Sequence, residues 1–271
     1  MIKKSIDCNI IVLLAHFNDN ERLKKAIQSV DEPFPVDLLI IDDGSLLRPN
    51  LSELQTIYGN RGNLKIEFLE KNQGVGKVRN IGLNLIESSD YKYVGVMDSD
   101  DFNKPNRFLK QLNYLDQNPD VKLIGSWSEC VDENGNFLFI QKNHSTYERI
   151  KKKMYLNSMF IHASVVFRKD ILSYVGEYPE KYKKGGVEDY AFLFKIVKKF
   201  KAVNLPEPLI YYTINSKGIS SKQRHWQVYN RIRVIYSNFY FGFYPIYGLI
   251  RNIPLLIMPR NILTSIKKLI S

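Results

Sequence analysis

Cysteine is scarce in this chain of 271 residues, which contains only Cys8 and Cys130. The two lie far apart in the sequence, and neither has a second cysteine at the spacing of a metal-ligand pair. This excludes a disulfide framework and a cysteine-based zinc site. We expect two reduced thiols in a cytosolic protein.

Long apolar runs are missing as well. Two lysines precede a short apolar stretch that the polar residues 18–25 end at once, so we expect a buried first strand and not a signal peptide. A transmembrane helix needs about 20 mostly apolar residues in a row. Near the other end, Pro245, Arg251, Pro254 and Pro259 interrupt every such run. This argues against a processive polysaccharide synthase with a bundle of membrane helices.

Acidic residues are absent after Glu207. Residues 208–271 hold nine of the 39 Lys and Arg but none of the 28 Asp and Glu. The rest of the chain is close to neutral, which argues against a generally basic nucleic-acid-binding protein. The extension 216–271 is also rich in aromatic residues, which is typical of segments that lie on an anionic membrane surface. Helices packed on the domain and an oligomer contact are the alternatives.

Short apolar runs do alternate with amphipathic stretches through the first half of the chain. This predicts an α/β fold over 1–215, with a mostly parallel central sheet flanked by helices on both faces. We expect strands at 9–15, 36–45, 64–70 and 93–101, helices at 19–30, 76–89 and 105–119, a hairpin at 122–140 turning at Asn134-Gly135, a helix at 146–156, a strand at 162–167 and a helix at 188–200.

Carboxylates follow two of these strands. Asp42 and Asp43 end the second strand, and residues 98–101 hold three more acids after the fourth. The carboxyl ends of parallel strands share one edge, where open α/β sheets bind their ligands. Two carboxylates one residue apart suit Mg²⁺ or Mn²⁺ together with substrate phosphates. The alternative is a helix cap, in which Asp101 or Asn103 caps the next helix.

A glycine loop precedes the helix that carries Arg79. Gly74 and Gly76 match neither the P-loop spacing nor the dinucleotide fingerprint. Backbone N–H groups and an arginine at a helix start would nevertheless suit a diphosphate. An ordinary loop with a solvated arginine is the alternative.

A second glycine pair, Gly185-Gly186, leads to Glu188 and Asp189 at the start of a helix. Acids at that end are favoured by the helix dipole, which is a purely structural explanation. A general base held at the edge of a cleft is the functional one.

Taken together, these segments resemble the family 2 glycosyltransferases, which have the GT-A nucleotide-sugar-binding fold. The resemblance covers roughly residues 8–215. It rests on six segments in the family's order: 13–30, 38–45, 71–83, 93–101, 161–172 and 185–196.

The resemblance implies a role for each candidate in binding the donor. Asp43 matches the acid that contacts the uracil of a UDP-sugar, with Asp42 beside it. Arg79 matches the basic residue near the nucleotide. Asp98 and Asp100 match the DxD motif, in which the first acid lies by the ribose or metal and the second binds the metal that bridges the diphosphate.

The resemblance also implies inverting chemistry. Asp189 matches the catalytic base of inverting members, with Glu188 beside it, and Asp101 would orient acceptor hydroxyls or cap the next helix. In residues 220–226, Arg224 would contact the diphosphate and His225 would be a further metal ligand, although a surface histidine is the alternative. One departure is at residues 15–18, where the family more often has Pro-Thr-Tyr-Asn than Ala-His-Phe-Asn.

The resemblance also implies a bacterial enzyme of polysaccharide synthesis. The expected donor is UDP-glucose or UDP-galactose, and the expected acceptor is an undecaprenyl-diphosphate-linked saccharide of O-antigen or capsule synthesis. The product would carry a β-linkage, made on the cytoplasmic face of the inner membrane by a peripheral protein. A nucleotidyltransferase is disfavoured because the first loop lacks glycine. A non-catalytic scaffold or sugar-binding module on the same fold is the remaining alternative.

Overall fold

A computed structural model describes residues 9–182, 185–214 and 223–257. Its first half is a parallel sheet in the order β3-β2-β1-β4, with the connecting helices packed on its faces. The strands are β1 (Ile10–His16), β2 (Asp37–Asp42), β3 (Leu64–Phe68) and β4 (Tyr93–Asp98), and the helices are α1 (Asn20–Gln28), α2 (Leu51–Tyr58) and α3 (Val75–Glu87). The four strands and the helices predicted at 19–30 and 76–89 are confirmed, whereas α2 was not predicted.

The second half extends the same sheet in the order β4-β8-β6-β9-β5, with β7 paired to β6. Strand β8 is antiparallel to β4 and β6, whereas β6 and β9 are parallel. The elements are β5 (Phe102–Asn103), α4 (Arg107–Gln117), β6 (Val121–Val131), β7 (Phe137–Gln141), α5 (Tyr147–Lys153), β8 (Val166–Arg168), α6 (Leu172–Val175), α7 (Glu188–Lys199) and β9 (Lys201–Thr213).

The apolar strands are buried on both faces. In β1, Ile11 and Leu13 face one cluster with residues of α3 and α7, and Val12 and Leu14 face another with residues of α1 and α4. Burial of successive side chains explains why these strands read as continuous apolar runs. The predicted α/β fold with helices on both faces is confirmed.

Two local predictions need correction. The strand expected at 162–167 is a 3-10 turn at His162–Ser164 followed by β8. Helix α4 begins at Arg107, and its first free N–H groups, on Phe108 and Leu109, donate to the carboxylate of Glu32 at 2.7 and 2.9 Å.

The alternative interpretation, in which Asp101 or Asn103 caps helix α4, is therefore wrong. Glu32 lies more than 70 positions away in the sequence, so the local pattern gave no sign of it. The predicted β6–β7 hairpin is confirmed, with Gly135 in the left-handed region at φ 86°. The long strand β9 was not predicted.

The described part of the basic extension is a helical hairpin that packs on the domain. Helices α8 (Arg224–Ser237) and α9 (Phe243–Ile257) contact each other and the segment after α5. The Tyr155 hydroxyl donates to the carbonyl of Asn238 at 3.0 Å, and Gly248 lies against the carbonyl of Tyr155 so closely that a side chain there would collide with it. The predicted boundary at 215/216 falls outside the described residues. In the ranges described, no helix is long and apolar enough to cross a membrane.

Candidate active site

A cleft of about 340 Å³ opens at the carboxyl ends of β1, β2 and β4. Both predicted acid clusters contribute to it, which confirms that they share one edge of the sheet. The lining residues are Ala15, His16, Phe17, Asp19, Arg22, Asp43, Val75, Val78, Arg79, Asp98, Ser99 and Asp100.

Asp42 and Asp43 are adjacent in sequence but occupy different environments. Asp42 is fully buried, accepts hydrogen bonds from the N–H (3.0 Å) and hydroxyl (2.5 Å) of Ser45, and does not line the cleft. Asp43 does line it, and accepts the N–H groups of Gln73 at 2.6 Å and Gly74 at 3.0 Å. Burial raises the pKa of Asp43, while these two hydrogen bonds oppose the shift. Asp43 therefore ties the glycine loop to the end of β2.

Arg79 is buried in the cleft wall. Its Nη2 lies 2.6 Å from Oδ1 of Asp98, and its guanidinium lies over the ring of Tyr178 at 5.7 Å. Burial raises the pKa of Asp98, but the nearby Arg79 and His162 outweigh it, so the pKa is lowered overall. The alternative of an ordinary solvated arginine is wrong.

Asp100 lines the cleft beside Asp98. Burial, followed by the charge of Asp98, raises the pKa of Asp100 to about 6. Arg22 on α1 lines the same space and lowers that pKa. Arg22 was not predicted, because one arginine on an amphipathic helix looks like any surface residue.

Asp101 lies behind the cleft and not in its wall. It is buried, and it accepts the N–H of Thr213 at 2.8 Å, while the hydroxyl of Thr213 donates to the carbonyl of Asp100 at 2.5 Å. These contacts fix the loop after β4 to the end of β9, and so hold Asp100 at the edge of the cleft.

Glu188 and Asp189 lie at the N-terminus of α7. Both contribute to the electrostatic field at the Arg79 guanidinium, although neither is a lining residue. The start of α3 packs against this turn so tightly that a Cβ on Gly76 would lie 3.1 Å from Cγ of Glu188. A glycine at this position therefore brings α3 close to the two acids.

The two acids differ in their hydrogen bonding. Oδ1 of Asp189 accepts the N–H of Tyr190 at 2.6 Å, whereas Oε2 of Glu188 is buried without a partner. Burial is the main cause that raises the pKa of Asp189. Burial, followed by the charge of Asp189, raises the pKa of Glu188 to about 7.

His162 and Tyr178 lie next to Arg79 and were not assigned a role from the sequence. His162 Nε2 lies 3.0 Å from the hydroxyl of Tyr178, and burial followed by the charge of Arg79 lowers the pKa of His162 to about 3. Because β8 is antiparallel to β4, the residues before β8 lie at the cleft edge. The strand direction is a tertiary feature that a search for strand ends followed by acids cannot detect.

Arg224 and His225 begin α8 and are not among the residues that line the cleft. His225 is exposed. Their suggested roles stay predictions. The preceding Gln223 accepts the N–H of Gly185 at 2.9 Å, so the extension contacts the loop that leads to Glu188.

The donor set fits a divalent cation that also binds a ligand. Among the described residues, no group of three or more His, Cys, Asp and Glu side chains could hold a metal alone. Asp98 and Asp100 nevertheless provide two carboxylates one residue apart, and both line the cleft. Mg²⁺ and Mn²⁺ typically take one or two carboxylates and obtain the remaining oxygens from substrate phosphates and water.

Comparison with known proteins agrees with this geometry. A glycosyltransferase of Escherichia coli named "UDP-Gal:alpha-D-GlcNAc-diphosphoundecaprenol beta-1,3-galactosyltransferase" is 34% identical over 178 residues, covering 64% of this chain and 61% of that protein. The amylovoran biosynthesis glycosyltransferase AmsE of Erwinia amylovora is 29% identical over 221 residues, with 80% of each chain covered. The uncharacterized glycosyltransferase MJ1057 of Methanocaldococcus jannaschii is 29% identical over 218 residues, covering 77% of this chain and 71% of that protein.

Solved structures show the same fold. Residues 1–349 of S. aureus TarS, in complex with UDP-GlcNAc, match with a TM-score of 0.64 at 19% identity, over 92% of this chain and 70% of that one. The match spans 39% of a longer TarS chain. The Pyrobaculum calidifontis mannosyltransferase PcManGT, in complex with GDP-Man and Mn²⁺, matches with a TM-score of 0.62 at 13% identity, over 92% and 72% of the two chains.

The predicted GT-A fold is confirmed by these structures. A sequence model of the family described as "Glycosyltransferase like family 2" matches residues 9–245, which is most of the chain. The protein belongs to this glycosyltransferase family.

Proposed function

We propose that this protein is an inverting, metal-dependent hexosyltransferase that uses a UDP-sugar donor. UDP-galactose is favoured, with UDP-glucose next, and the acceptor is an undecaprenyl-diphosphate-linked saccharide of O-antigen or capsule synthesis. The name of the Escherichia coli relative supports a galactose donor, a lipid diphosphate and a β-linkage. The name of AmsE supports a role in polysaccharide synthesis.

The observation that carries the proposal is the charge of the cleft. Four carboxylates line it, on Asp19, Asp43, Asp98 and Asp100, against two guanidinium groups. One of these, on Arg79, is already paired with Asp98. A nucleoside diphosphate would add further negative charge, so this cleft needs a cation to hold one. Mn²⁺ or Mg²⁺ bound by Asp98 and Asp100 would supply that charge and stabilise the departing diphosphate.

Asp189 is the proposed general base. Its Oδ1 is engaged by the N–H of Tyr190, which leaves Oδ2 to accept a proton. The acceptor hydroxyl oxygen attacks the anomeric carbon and transfers its proton to Asp189, while the bond from that carbon to the UDP oxygen breaks. Direct displacement inverts the centre, so an α-linked donor gives a β-linked product. The raised pKa of Asp189, caused mainly by burial, favours uptake of the proton.

Arg79 affects both the acid proposed to lie next to the diphosphate and the proposed base. Its charge lowers the pKa of Asp98, which keeps that acid ionised next to the diphosphate. It also opposes the rise in the pKa of Asp189, which favours the ionised carboxylate that a general base needs.

The outer face of the extension supports a peripheral position on the cytoplasmic face of the inner membrane. Phe241 is 94% exposed, and the other large exposed side chains of this hairpin are Trp226, Tyr229, Tyr236, Tyr240, Phe243, Ile246, Tyr247, Ile250 and Ile253. No acid occurs after Glu207 to oppose an anionic surface. The wild type should sediment with anionic vesicles, and the double variant Phe241→Ser/Phe243→Ser should not. The control Phe137→Ser removes an exposed phenylalanine on β7 and should sediment like the wild type. If the wild type and both variants sediment equally, this surface does not bind the membrane.

The activity is tested by measuring UDP release from a panel of UDP-sugars with a synthetic sugar-diphosphate-lipid acceptor. We expect turnover of one donor with Mn²⁺ or Mg²⁺, and loss of turnover in EDTA and in Asp100→Ala. If no donor turns over with several acceptors, and none binds by calorimetry in the presence of metal, the non-catalytic scaffold replaces this proposal.

A further inference from the structure

Strand β3 is the last strand at one end of the sheet, and β2 is its neighbour on the inner side. The N–H of Leu38 donates to the carbonyl of Asn63 at 2.8 Å, and the N–H of Leu69 donates to the carbonyl of Asp42 at 2.9 Å. Alternate residues of a strand form their hydrogen bonds on the same side. The odd-numbered residues of this segment therefore face β2.

The even-numbered residues of β3 direct their backbone groups outward. These residues are Leu64, Ile66 and Phe68. In agreement with this direction, the side-chain amide of Gln55 on α2 donates to the carbonyl of Leu64 at 3.3 Å. A strand edge with outward N–H and C=O groups can accept another strand.

Apolar side chains border this edge on both faces of the sheet. A groove of about 450 Å³ runs along the edge, and Leu51 of α2 and Leu85 of α3 line it. These two leucines are 37% and 47% exposed. Helices α2 and α3 lie on opposite faces, since their buried residues belong to two separate clusters. A further strand at this edge would therefore meet apolar surface on both of its faces.

The exposed charges of β3 differ in sign. Lys65 and Glu67 are both exposed, and they point to the same face of the sheet because they are two residues apart. Among the described residues, neither forms an ion pair. Charged side chains on an edge strand often keep other strands away. An edge that only repels a second copy would carry one sign of charge, whereas here a cation precedes Ile66 and an anion follows it.

This order makes β3 complementary to itself in an antiparallel pair centred on Ile66. The outward N–H and C=O of Ile66 would bond with those of the same residue in the second copy. Lys65 would then lie opposite Glu67 of the partner subunit in a non-hydrogen-bonded pair, where side chains approach most closely. A pair centred on Lys65 or on Glu67 would place like charges opposite each other. The charges therefore favour the register centred on Ile66.

We propose that β3 pairs with β3 of a second copy about Ile66, which forms a two-fold symmetric dimer with one continuous sheet. A two-fold interface requires a surface that is complementary to itself, and the charges of β3 meet this requirement. A stable interface buries about 1,200–2,000 Å² in total, so Leu51 and Leu85 of each copy would extend the contact beyond the strand pair. None of the described residues that line the cleft belongs to β3, so this inference does not depend on the proposed activity.

Sedimentation velocity of the full chain over a range of concentrations measures the dimer. The informative variants are Lys65→Glu and Glu67→Lys, because each places like charges opposite each other in the dimer. A mixture of the two variants restores both pairs, since one copy carries acids at the two positions and the other carries lysines. Lys152→Glu reverses an exposed charge on α5 and is the control. Thermal unfolding checks that each variant is folded.

We expect the wild type and Lys152→Glu to dimerise with similar affinity, and each reversal at β3 to weaken dimerisation about tenfold or more. Fluorescently labelled Lys65→Glu mixed with unlabelled Glu67→Lys should form a heterodimer with nearly wild-type affinity. A wild type that stays monomeric up to its highest soluble concentration would overturn the inference. Reversals that dimerise like the wild type, or a mixture that stays monomeric while the wild type dimerises, would also overturn it.

Discussion

Replacing Arg79 with methionine removes the one charged partner that lies within hydrogen-bonding distance of Asp98 among the described residues. The pair is close, at 2.6 Å, and the two side chains are 7% and 27% exposed. Breaking one side of a buried ion pair costs about 3–5 kcal/mol, because the other charge is left without compensation. Since Asp98 keeps partial contact with water, we expect a loss of about 2–3 kcal/mol in the free energy of unfolding.

A double-mutant cycle separates this ion pair from the packing of Arg79 on Tyr178. Urea unfolding in EDTA would compare the wild type, Arg79→Met, Asp98→Asn and the double variant. The double variant should be more stable than the sum of the single losses predicts, by about 1–3 kcal/mol. Purely additive losses, or a change below about 0.5 kcal/mol in Arg79→Met, would refute the pairing as the reason that Arg79 is buried.

Three further predictions concern the acids and the packing around the site. Burial raises the pKa of Glu188 to about 7, above its ordinary value, so ionisation of Glu188 destabilises the fold as the pH rises from about 4.5 to 7. The melting temperature of Glu188→Gln minus that of the wild type should therefore be larger at pH 8 than at pH 5. An equal difference at the two pH values would contradict this. Glu32→Ala removes both acceptors at the start of α4 and should lower the free energy of unfolding by about 1–2 kcal/mol, measured in urea. The control is Glu53→Ala, because the Glu53 carboxylate pairs with Lys24 on the surface. It should change the free energy of unfolding by less than about 1 kcal/mol. Gly82→Ala places a Cβ 2.2 Å from Cδ1 of Leu13. It should lower the free energy of unfolding by about 1–3 kcal/mol in the same assay, although alanine has the better helix propensity. A stabilised variant would show that α3 and β1 pack less closely than the structure indicates.

Local sequence patterns predict much of the parallel half of the fold. The apolar runs at β1, β2 and β4 end in polar residues because each strand leaves the core at the cleft. Parallel strands with both faces covered show the continuous apolar pattern, and the chain direction then fixes where Asp43, Asp98 and Asp100 must lie. These predictions needed no long-range information.

The residues that were missed or misassigned depend on contacts between distant segments. The cap of α4 comes from Glu32, and Asp101 bonds to Thr213 on a strand that was not predicted. His162 comes close to Asp98 and Arg79 only because β8 runs antiparallel to β4. A single sequence with local periodicity has no signal for any of these contacts.

The same limit applies to Asp42 and Asp43. They look equivalent in sequence, since both follow the same apolar run. The structure separates them, because the hydrogen bonds from Ser45 hold Asp42 under the turn while Asp43 faces the glycine loop. Which of two adjacent acids faces a ligand is decided by the geometry of the turn.

Turnover by Asp189→Asn tests whether Asp189 is the base in transfer from a UDP-sugar. Single-turnover transfer from the preferred UDP-sugar to the lipid-diphosphate acceptor would be measured with metal, alongside calorimetric binding of UDP. We expect a loss of roughly 10²–10⁴-fold in rate with UDP affinity within about twofold of wild type, because the proposed base would contact the acceptor and not the nucleotide. Transfer that continues at the wild-type rate in Asp189→Asn would contradict the assignment of Asp189 as the base.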